Sequence, residues 1–388
     1  MKILHTSDLH LGKKTNGISR LEEQAQVLDE IIALCEKEGV QVVVIAGDIF
    51  DTFVPPADAE RLFFDKVTAL ASTNRTVLII SGNHDDETRL SAASNLACQH
   101  GVYIFDNLTD TNYPKDLSRE TYVEKSGKGW CIVKNSKESV YFGMLPYPDE
   151  GRFKEILDEN ETFNDKTSRW CQACFENNVD HLPQVLVAHL FAIGGEKTKS
   201  ERDVELGGAR AVSTSVFPQT IYTALGHLHK QQKMNSSGTI AYSGSILQYS
   251  FDECNIEKSV NIFEIENGCV NNLQIVPLKS GKKLATIMVT SIAQATQLLD
   301  RYKDCYVEVQ FNLSQPLGQK ELADFKKANP NVISIQLKTT PTDMTEDFYQ
   351  HRDLNPIEVF TKYYKTKYEE EPNEELLALF ESLMEEKE

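Results

Sequence analysis

Short apolar runs that stop abruptly on polar residues recur along this chain. Val77 to Ile80 halts at Ser81-Gly82-Asn83-His84-Asp85. Ile3 to Ser7 runs into Asp8-Leu9-His10, and Val42 to Ala46 into Gly47-Asp48-Ile49-Phe50-Asp51. Val185 to Ala188 ends on His189, and Ile221 to Leu225 on Gly226-His227-Leu228-His229. An unbroken apolar run of about four to eight residues, closed by turn residues, predicts a strand buried on both faces. Such a strand delivers the polar residues behind it to one edge of a sheet.

Between these runs the apolar period changes to that of a helix. Residues from about Leu21 to Lys37 carry Val27, Leu28, Ile31, Ile32 and Leu34 on one side, and Ala57–Ala71 follows Pro55-Pro56 in the same way. A short helix is expected near Leu90–Gln99, and another over Phe163–Asn177. The order β-α-β-α-β-α predicts an α/β fold with helices on the faces of a sheet. From Val102 to Pro148 the pattern turns to strands separated by polar turns, such as 130–133 and 140–145, which suggests a second sheet. Together with strands at 185–188 and 221–225 and the run Ile240–Ser250, the simplest arrangement is a four-layer αββα sandwich over residues 1–278.

The basic stretch Lys279-Ser280-Gly281-Lys282-Lys283 opens a compact β-α-β-α-β series. Its elements are expected at Ala285–Thr290, Ala293–Tyr302, Cys305–Asn312, Leu317–Ala328 and Val332–Leu337, making residues 279–338 a small α/β domain. Residues 339–354 read as a linker. Asn355-Pro356-Ile357-Glu358 and Pro372-Asn373-Glu374-Glu375 have the marks of helix starts, so 355–388 is expected to hold two amphipathic helices. These fold back on the chain or dock on another protein. The charged stretch Lys197–Gly208 reads as a surface loop between two of the strands.

Composition narrows the setting. A chain of 388 residues with 40% apolar and 25% charged residues is an ordinary globular protein of two or three domains. It has no apolar run of some ~18 residues, so no membrane span is expected. MKILHTSDLH enters a strand at once without a signal-peptide block, which with eight scattered cysteines points to a reducing cytoplasm. Only Cys171 and Cys174 form a CxxC pair. No second pair or nearby His completes a zinc site, so packing is the expected role of this one. The formal charge of −18 repels nucleic acid, so phosphate chemistry would need metal ions, a local basic patch or a basic partner.

The strand ends supply such metal ligands. Asp, His and Asn offer oxygen and nitrogen donors that suit Mn²⁺, Fe²⁺ or Zn²⁺ better than Ca²⁺. Five of the nine histidines, His10, His84, His189, His227 and His229, stand at ends of predicted strands. The others, His5, His100, His181 and His351, read as structural or surface residues. With Asp8, Asp48 and Asn83, the strand-end set exceeds the needs of one ion and suits two, some ~3.5–4 Å apart, sharing a carboxylate.

The five motifs at these strand ends resemble those of the calcineurin-like metallophosphoesterases. The opening KILHTSDLHLG, the segment GGARAVSTSVFP and the ending LNPIEVFTKYY…EELLALFESL are similar to the family's bacterial DNA-nuclease branch, across essentially the whole chain. The resemblance implies one Mn²⁺ held by Asp8, His10, Asp48 and His229. A second would be held by Asn83, His189, His227 and the shared Asp48, with Mg²⁺ as an alternative metal. His84 would stand outside the metals, orienting or protonating the scissile phosphate, with Asp85 supporting it. Where some relatives carry His, this chain carries Asp51. The implied activity is 3′→5′ exonuclease on duplex ends and endonuclease on single strands and hairpins. Residues 279–338 would be a capping domain, and 355–388 would grip the coiled coil of an ATPase partner. A homodimer of the nuclease domain within a heterotetramer is also implied. The alternatives are a phosphoesterase of the same fold acting on a small phosphoester, and a non-catalytic scaffold. The first would not need the C-terminal third, and the second predicts missing ligands where none is missing.

Overall fold

The computed structural model describes residues 1–109, 111–153, 161–201, 210–313 and 317–339, with the short stretches 360–361, 364–365, 371–373, 376–377 and 380. Two sheets form its centre. The first has six strands in the order Cys269–Pro277, Ser259–Glu266, Lys2–Thr6, Val42–Ala46, Thr76–Ile80 and Val102–Phe105. The last four are parallel to one another, and Ser259–Glu266 runs antiparallel to Lys2–Thr6. The second has seven strands, with Ser139–Leu145, Gln184–His189, Tyr222–Gly226 and Ile240–Tyr242 parallel at its middle.

Three apolar layers fill the spaces. Val43, Ile45, Val77 and Ile79 face Val27, Leu28, Ile31, Phe63 and Val67 of the helices Leu21–Glu38 and Ala57–Ala71. The alternate residues Val42, Val44, Ala46, Leu78 and Ile80 meet Phe142, Met144, Val185, Val187 and Ala224 of the second sheet. The outer face of that sheet packs Leu186, Ala188 and Leu225 on Trp170 and Cys171 of the helix Phe163–Ala173. This is the αββα sandwich, and it explains why the central strands read as unbroken apolar runs: both faces of each are buried. Cys171 and Cys174 lie in the third layer, where burial pushes both thiols up, Cys174 to about 12. They pack, as expected.

Several element ends differ from the sequence reading. The expected 90–99 helix breaks into Glu87–Ser91, Ser94–Ala97 and a 3₁₀ turn Cys98–His100. Asp86 caps the first piece by accepting from the Arg89 backbone N–H, and Ser91 Oγ donates back to Thr88 O at 3.2 Å. The 163–177 helix stops at Ala173, where Phe175 N–H donates to Gln172 O and tightens the turn. Only Ile240–Tyr242 of the run to Ser250 is strand. The chain turns at Gly244, φ +80°, where a Cβ would come within 2.8 Å of backbone atoms of His229 and Gln231.

Strands Lys283–Val289, Cys305–Leu313 and Val332–Thr339 form a three-stranded sheet accompanied by helices Ile292–Leu299 and Gln319–Ala328. Residues 1–311 and 318–336 make one compact unit, and 312–317 with 337–388 another. The basic stretch before the small sheet is pinned: Glu30 accepts from the backbone N–H of Lys279 and Ser280 at 2.9 and 2.7 Å. Arg20, wholly buried, donates to Glu23, Gln248 O and Lys282 O. Most of 339–388, including the linker and much of both expected C-terminal helices, lies outside the described residues. Within the second unit, residues 360–361, 364–365, 376–377 and 380 are helical and Phe360 stacks on Phe380. Asn373 caps the second segment, accepting from the Leu376 N–H at 2.9 Å. Among the described residues no helix is long and apolar enough to cross a membrane.

His5 is structural. It lies between the sheets, where Nε2–H donates to Leu225 O at 3.2 Å and Nδ1 meets Tyr222 Oη at 3.1 Å. Burial drives its pKa down to about 3. The unfolded chain binds a proton on this ring below about pH 6.5, and the folded chain does not until about pH 3. Its neutral burial therefore favours folding fully above pH 6.5 and progressively less as pH falls towards 3. Unfolding free energies from urea titrations should fall less between pH 6.5 and 5 for His5→Gln than for the unsubstituted protein, by about 1.4 kcal/mol per pH unit. Equal slopes would contradict a buried neutral ring.

Candidate metal centre

All five motifs converge on one rim. Asp8 and His10 follow Lys2–Thr6, Asp48 follows Val42–Ala46, and Asn83 and His84 follow Thr76–Ile80. His189 ends Gln184–His189, and His227 and His229 follow Tyr222–Gly226. The eight residues come from sites up to 221 positions apart, yet all are buried.

The loops that carry them have unusual backbone. Asp8, His10, Asp48 and His227 have φ of +53°, +46°, +52° and +107°. Each left-handed non-glycine residue costs about 1–2 kcal/mol, a strain seen where a fold holds functional groups in place. Backbone bonds lash the first two loops together, Asp8 N–H to Gly47 O and His10 N–H to Asp48 O, both at 3.0 Å. Gly47, Gly82 and Gly226 make the approach possible: a Cβ on each would strike the His189 ring, the Asp48 carboxylate and Ala46 O respectively.

Asp48 lies at the centre. Its Oδ1 accepts from His84 N–H at 2.8 Å, and its Oδ2 is 3.6 Å from His10 Nε2 and 3.5 Å from His189 Nε2. On one side, His10 Nε2 and His229 Nε2 are 2.9 Å apart, and Asp8, His10 and His229 have ligand atoms within 4.8 Å of one another. On the other, Asn83 Oδ1 is 2.9 Å from His189 Nε2 and 3.0 Å from His227 Nδ1. Asp8 and Asp48 group with His189 in the same way. So do His10 and Asp48 with His84, whose ring is 4.7 Å from that of His10.

These donors are arranged as a cation would require. His189 Nδ1 must donate to Ala46 O, 2.8 Å away, because a carbonyl only accepts. In the neutral ring Nε2 is then a lone pair, and it faces Asn83 Oδ1 and Asp48 Oδ2, which are lone pairs too. Asn83 Nδ2 is buried with no hydrogen-bond partner among the described residues. Acceptors pointed at acceptors in a dry site repel unless something positive lies between them. Against the effect of burial, the Asp48 carboxylate raises the His189 pKa to about 9. Burial holds His10 down to about 3 and His227 well below its usual range, so both are neutral, as metal ligation needs. Burial raises Asp8 to about 6. Asp48 stays well below the usual carboxylate range because the rings of His189 and His84 outweigh its burial. The donor set and its grouping fit a two-metal site.

Asp85 does not support His84. Its carboxylate accepts from the backbone N–H of Ile49, Phe50 and Gly82 at 3.1, 2.9 and 2.8 Å, three donors that hold it against the Asp48 loop. Asp51 does more of the supporting: its Oδ1 lies 3.5 Å from His10 Nδ1 and its O accepts from His84 Nδ1–H at 2.7 Å. Lys13 pairs with Asp51 at 2.6 Å, and Arg152 donates to Gly82 O and Asp85 O at 2.9 Å, so cations reach the rim despite the acidic chain. His100 and His181 have no place in the site, and His351 lies outside the described residues.

Sequence reasoning missed Ser200, Glu201, Glu253 and Lys258, which surround His229. Ser200 Oγ bonds His229 Nδ1, Glu201 accepts from His229 N–H at 2.8 Å, and Lys258 donates to His229 O at 2.8 Å. The start of the charged 197–208 stretch is thus packed on the centre. Residues 202–209 lie outside the described residues. The available signal was Ser250-x-x-Glu253, a capping box that fixes Glu253.

Residues 1–231 match the calcineurin-like phosphoesterase family. The chain is 34% identical to the SbcD subunit of the SbcCD nuclease of Bacillus subtilis (strain 168), covering 98% of this chain and 97% of that protein. Solved structures that align include a hypothetical protein from Thermus thermophilus, with TM-score 0.39 and 12% identity, covering 72% of this chain and 100% of the other. A dimetal phosphatase from Danio rerio aligns with TM-score 0.38 and 11% identity, covering 69% and 93%. With five ligand-bearing loops gathered on the shared rim of two sheets and a relative alike from end to end, the chain belongs to the calcineurin-like phosphoesterases, in their SbcD branch.

Proposed function

We propose that this metal-dependent phosphoesterase is the DNA nuclease subunit of an SbcCD-type complex, cutting duplex ends 3′→5′ and opening single strands and hairpins in DNA repair and recombination. The observation that carries the reading is Asp48, whose carboxylate stands between two ligand clusters. In this reading Asp8, His10, Asp48 and His229 hold one Mn²⁺, and Asn83, His189, His227 and Asp48 hold the other, with Mg²⁺ as a substitute. Such an ion pair lowers the pKa of water and neutralises charge on the phosphate.

The chain's own groups do the rest. His84 is the most exposed of the eight residues, at 7%, and so is the one best placed to meet substrate. The Asp51 carbonyl holds its Nδ1–H, so Nε2 is the nitrogen left to face substrate, and in the imidazolium form it would give its proton to the leaving oxygen. Asp85 keeps the Asp48 loop in register with the 82–85 turn. Residues 279–338 act as a capping domain beyond the 1–278 nuclease domain. After the 339–354 linker, the helices of 355–388 dock on the SbcC ATPase, and two nuclease domains pair within the heterotetramer. With a net charge of −18, the chain relies on SbcC for much of its hold on DNA, in the cytoplasm.

The test is direct. Purified protein with Mn²⁺ should degrade linear duplex and hairpin DNA, and EDTA should stop it. Turnover of phosphomonoesters or mononucleotides with intact duplex and hairpin would favour the small-substrate alternative and reject the nuclease.

A further inference from the structure

The ring nitrogens of the centre are held in different ways. His189 and His84 donate Nδ1–H to the carbonyls of Ala46 and Asp51, and His10 Nδ1 faces the Asp51 carboxylate. A carbonyl only accepts, so the tautomers of His189 and His84 are fixed outright, whereas His10 Nδ1 makes no hydrogen bond among the described residues. His229 Nδ1 meets the hydroxyl of Ser200, which can donate or accept. By itself this contact leaves either tautomer open, and in one of them Nε2 carries the proton and cannot ligate.

Glu253 removes the ambiguity. Its carboxylate, wholly buried, takes the Ser200 hydroxyl proton at Oε1. The hydroxyl oxygen must then accept from His229 Nδ1–H, which turns a bare Nε2 towards His10 and Asp8. Lys258 keeps Glu253 ionised at 2.5 Å and places its remaining protons on His229 O and Ser245 Oγ at 2.8 and 2.9 Å. The segment around Ser200 is fastened on both sides: Lys199 N–H donates to Asp252 at 2.8 Å, and Glu201 accepts from both Thr198 N–H and His229 N–H.

We propose that Glu253 is a positioning residue that acts through Ser200 to set the tautomer of His229, so that residues 198–201 form part of the metal site's support rather than a free surface loop. The proposal rests on His229 being a metal ligand. Carboxylates behind ligating histidines typically change metal affinity by about 10–100-fold when removed.

The experiment uses the full chain and Mn²⁺ alone. Ser200→Ala and Glu253→Gln should each weaken one of two Mn²⁺ sites by roughly 10–100-fold in a binding titration. Ser200→Thr, which keeps the hydroxyl, should restore it. Glutamine is informative because its amide can donate to the hydroxyl and reverse the relay. Nitrogen-15 spectra of the metal-free protein should show His229 as the Nδ1–H tautomer, and as a mixture in both weakened variants. Thermal melts without metal guard against misfolding, and Ser200, being only partly buried, leaves little void when truncated. Unchanged tautomer and Mn²⁺ affinity in both variants would overturn the relay. His229→Ala serves as the separate control: if it still binds two ions as tightly as the unsubstituted protein, His229 is no ligand and the underlying reading fails instead.

Discussion

Asp48→Asn is expected to lower DNA cleavage by at least roughly 10³-fold, the upper end of what one lost electrostatic group costs in a water-excluded site. It should also leave fewer than two metal ions per chain. Asparagine keeps an oxygen to accept from His84 N–H, so the 82–85 turn retains the bond it makes to Asp48 at 2.8 Å. What disappears is the negative charge that faces His10 on one side and His189 on the other. Metal content by elemental analysis and rates on linear duplex, read together, check this. A variant that carries two ions and cuts normally would show that Asp48 does not bridge, and the two-cluster reading would fail with it.

His84→Ala is expected to cost about 10²–10⁴-fold in cleavage, the usual worth of a positioned acid or base, with both metal ions still bound. Loss of the ring leaves the proposed ligands in place, because His84's own bonds run to the Asp51 carbonyl and, through its backbone, to Asp48. His10→Ala, by contrast, should lower metal content along with activity. His84 also has ligand atoms within 4.8 Å of His10 and Asp48, so metal content is the deciding measurement. Ions lost with His84 would make it a ligand, and normal cutting would remove it from the mechanism.

The layered fold was legible because the chain states it twice. Val42–Ala46 and Thr76–Ile80 are apolar at nearly every position, as a strand covered on both faces must be, and the helices between them carry a single apolar face. The site residues were legible because each follows such a run directly, so the strand end fixes its place without long-range information. What could not be read are the partners that approach from elsewhere. Ser200 and Glu253 meet across 53 positions, Asp85 serves backbone N–H groups 35 and 36 residues away, and no periodicity marks either. The charges of Lys199 and Glu201 made that segment look solvated. The 87–100 region misled for a different reason: with Leu90 and Cys98 its only buried residues, it lacks the face that would hold one continuous helix.

The division of the ligands between the two sheets has a mechanical consequence. Four of the seven proposed ligands are borne by one sheet and three by the other, so the apolar filling between the sheets acts as the shim that sets how far apart the two groups of ligands lie. Exchanging Ala224 or Ala46 for a bulkier residue would open that gap like a calliper and detune the cations, with every polar group at the rim untouched. On the proposed ligand sets, the hydrocarbon midlayer is a part of the coordination geometry.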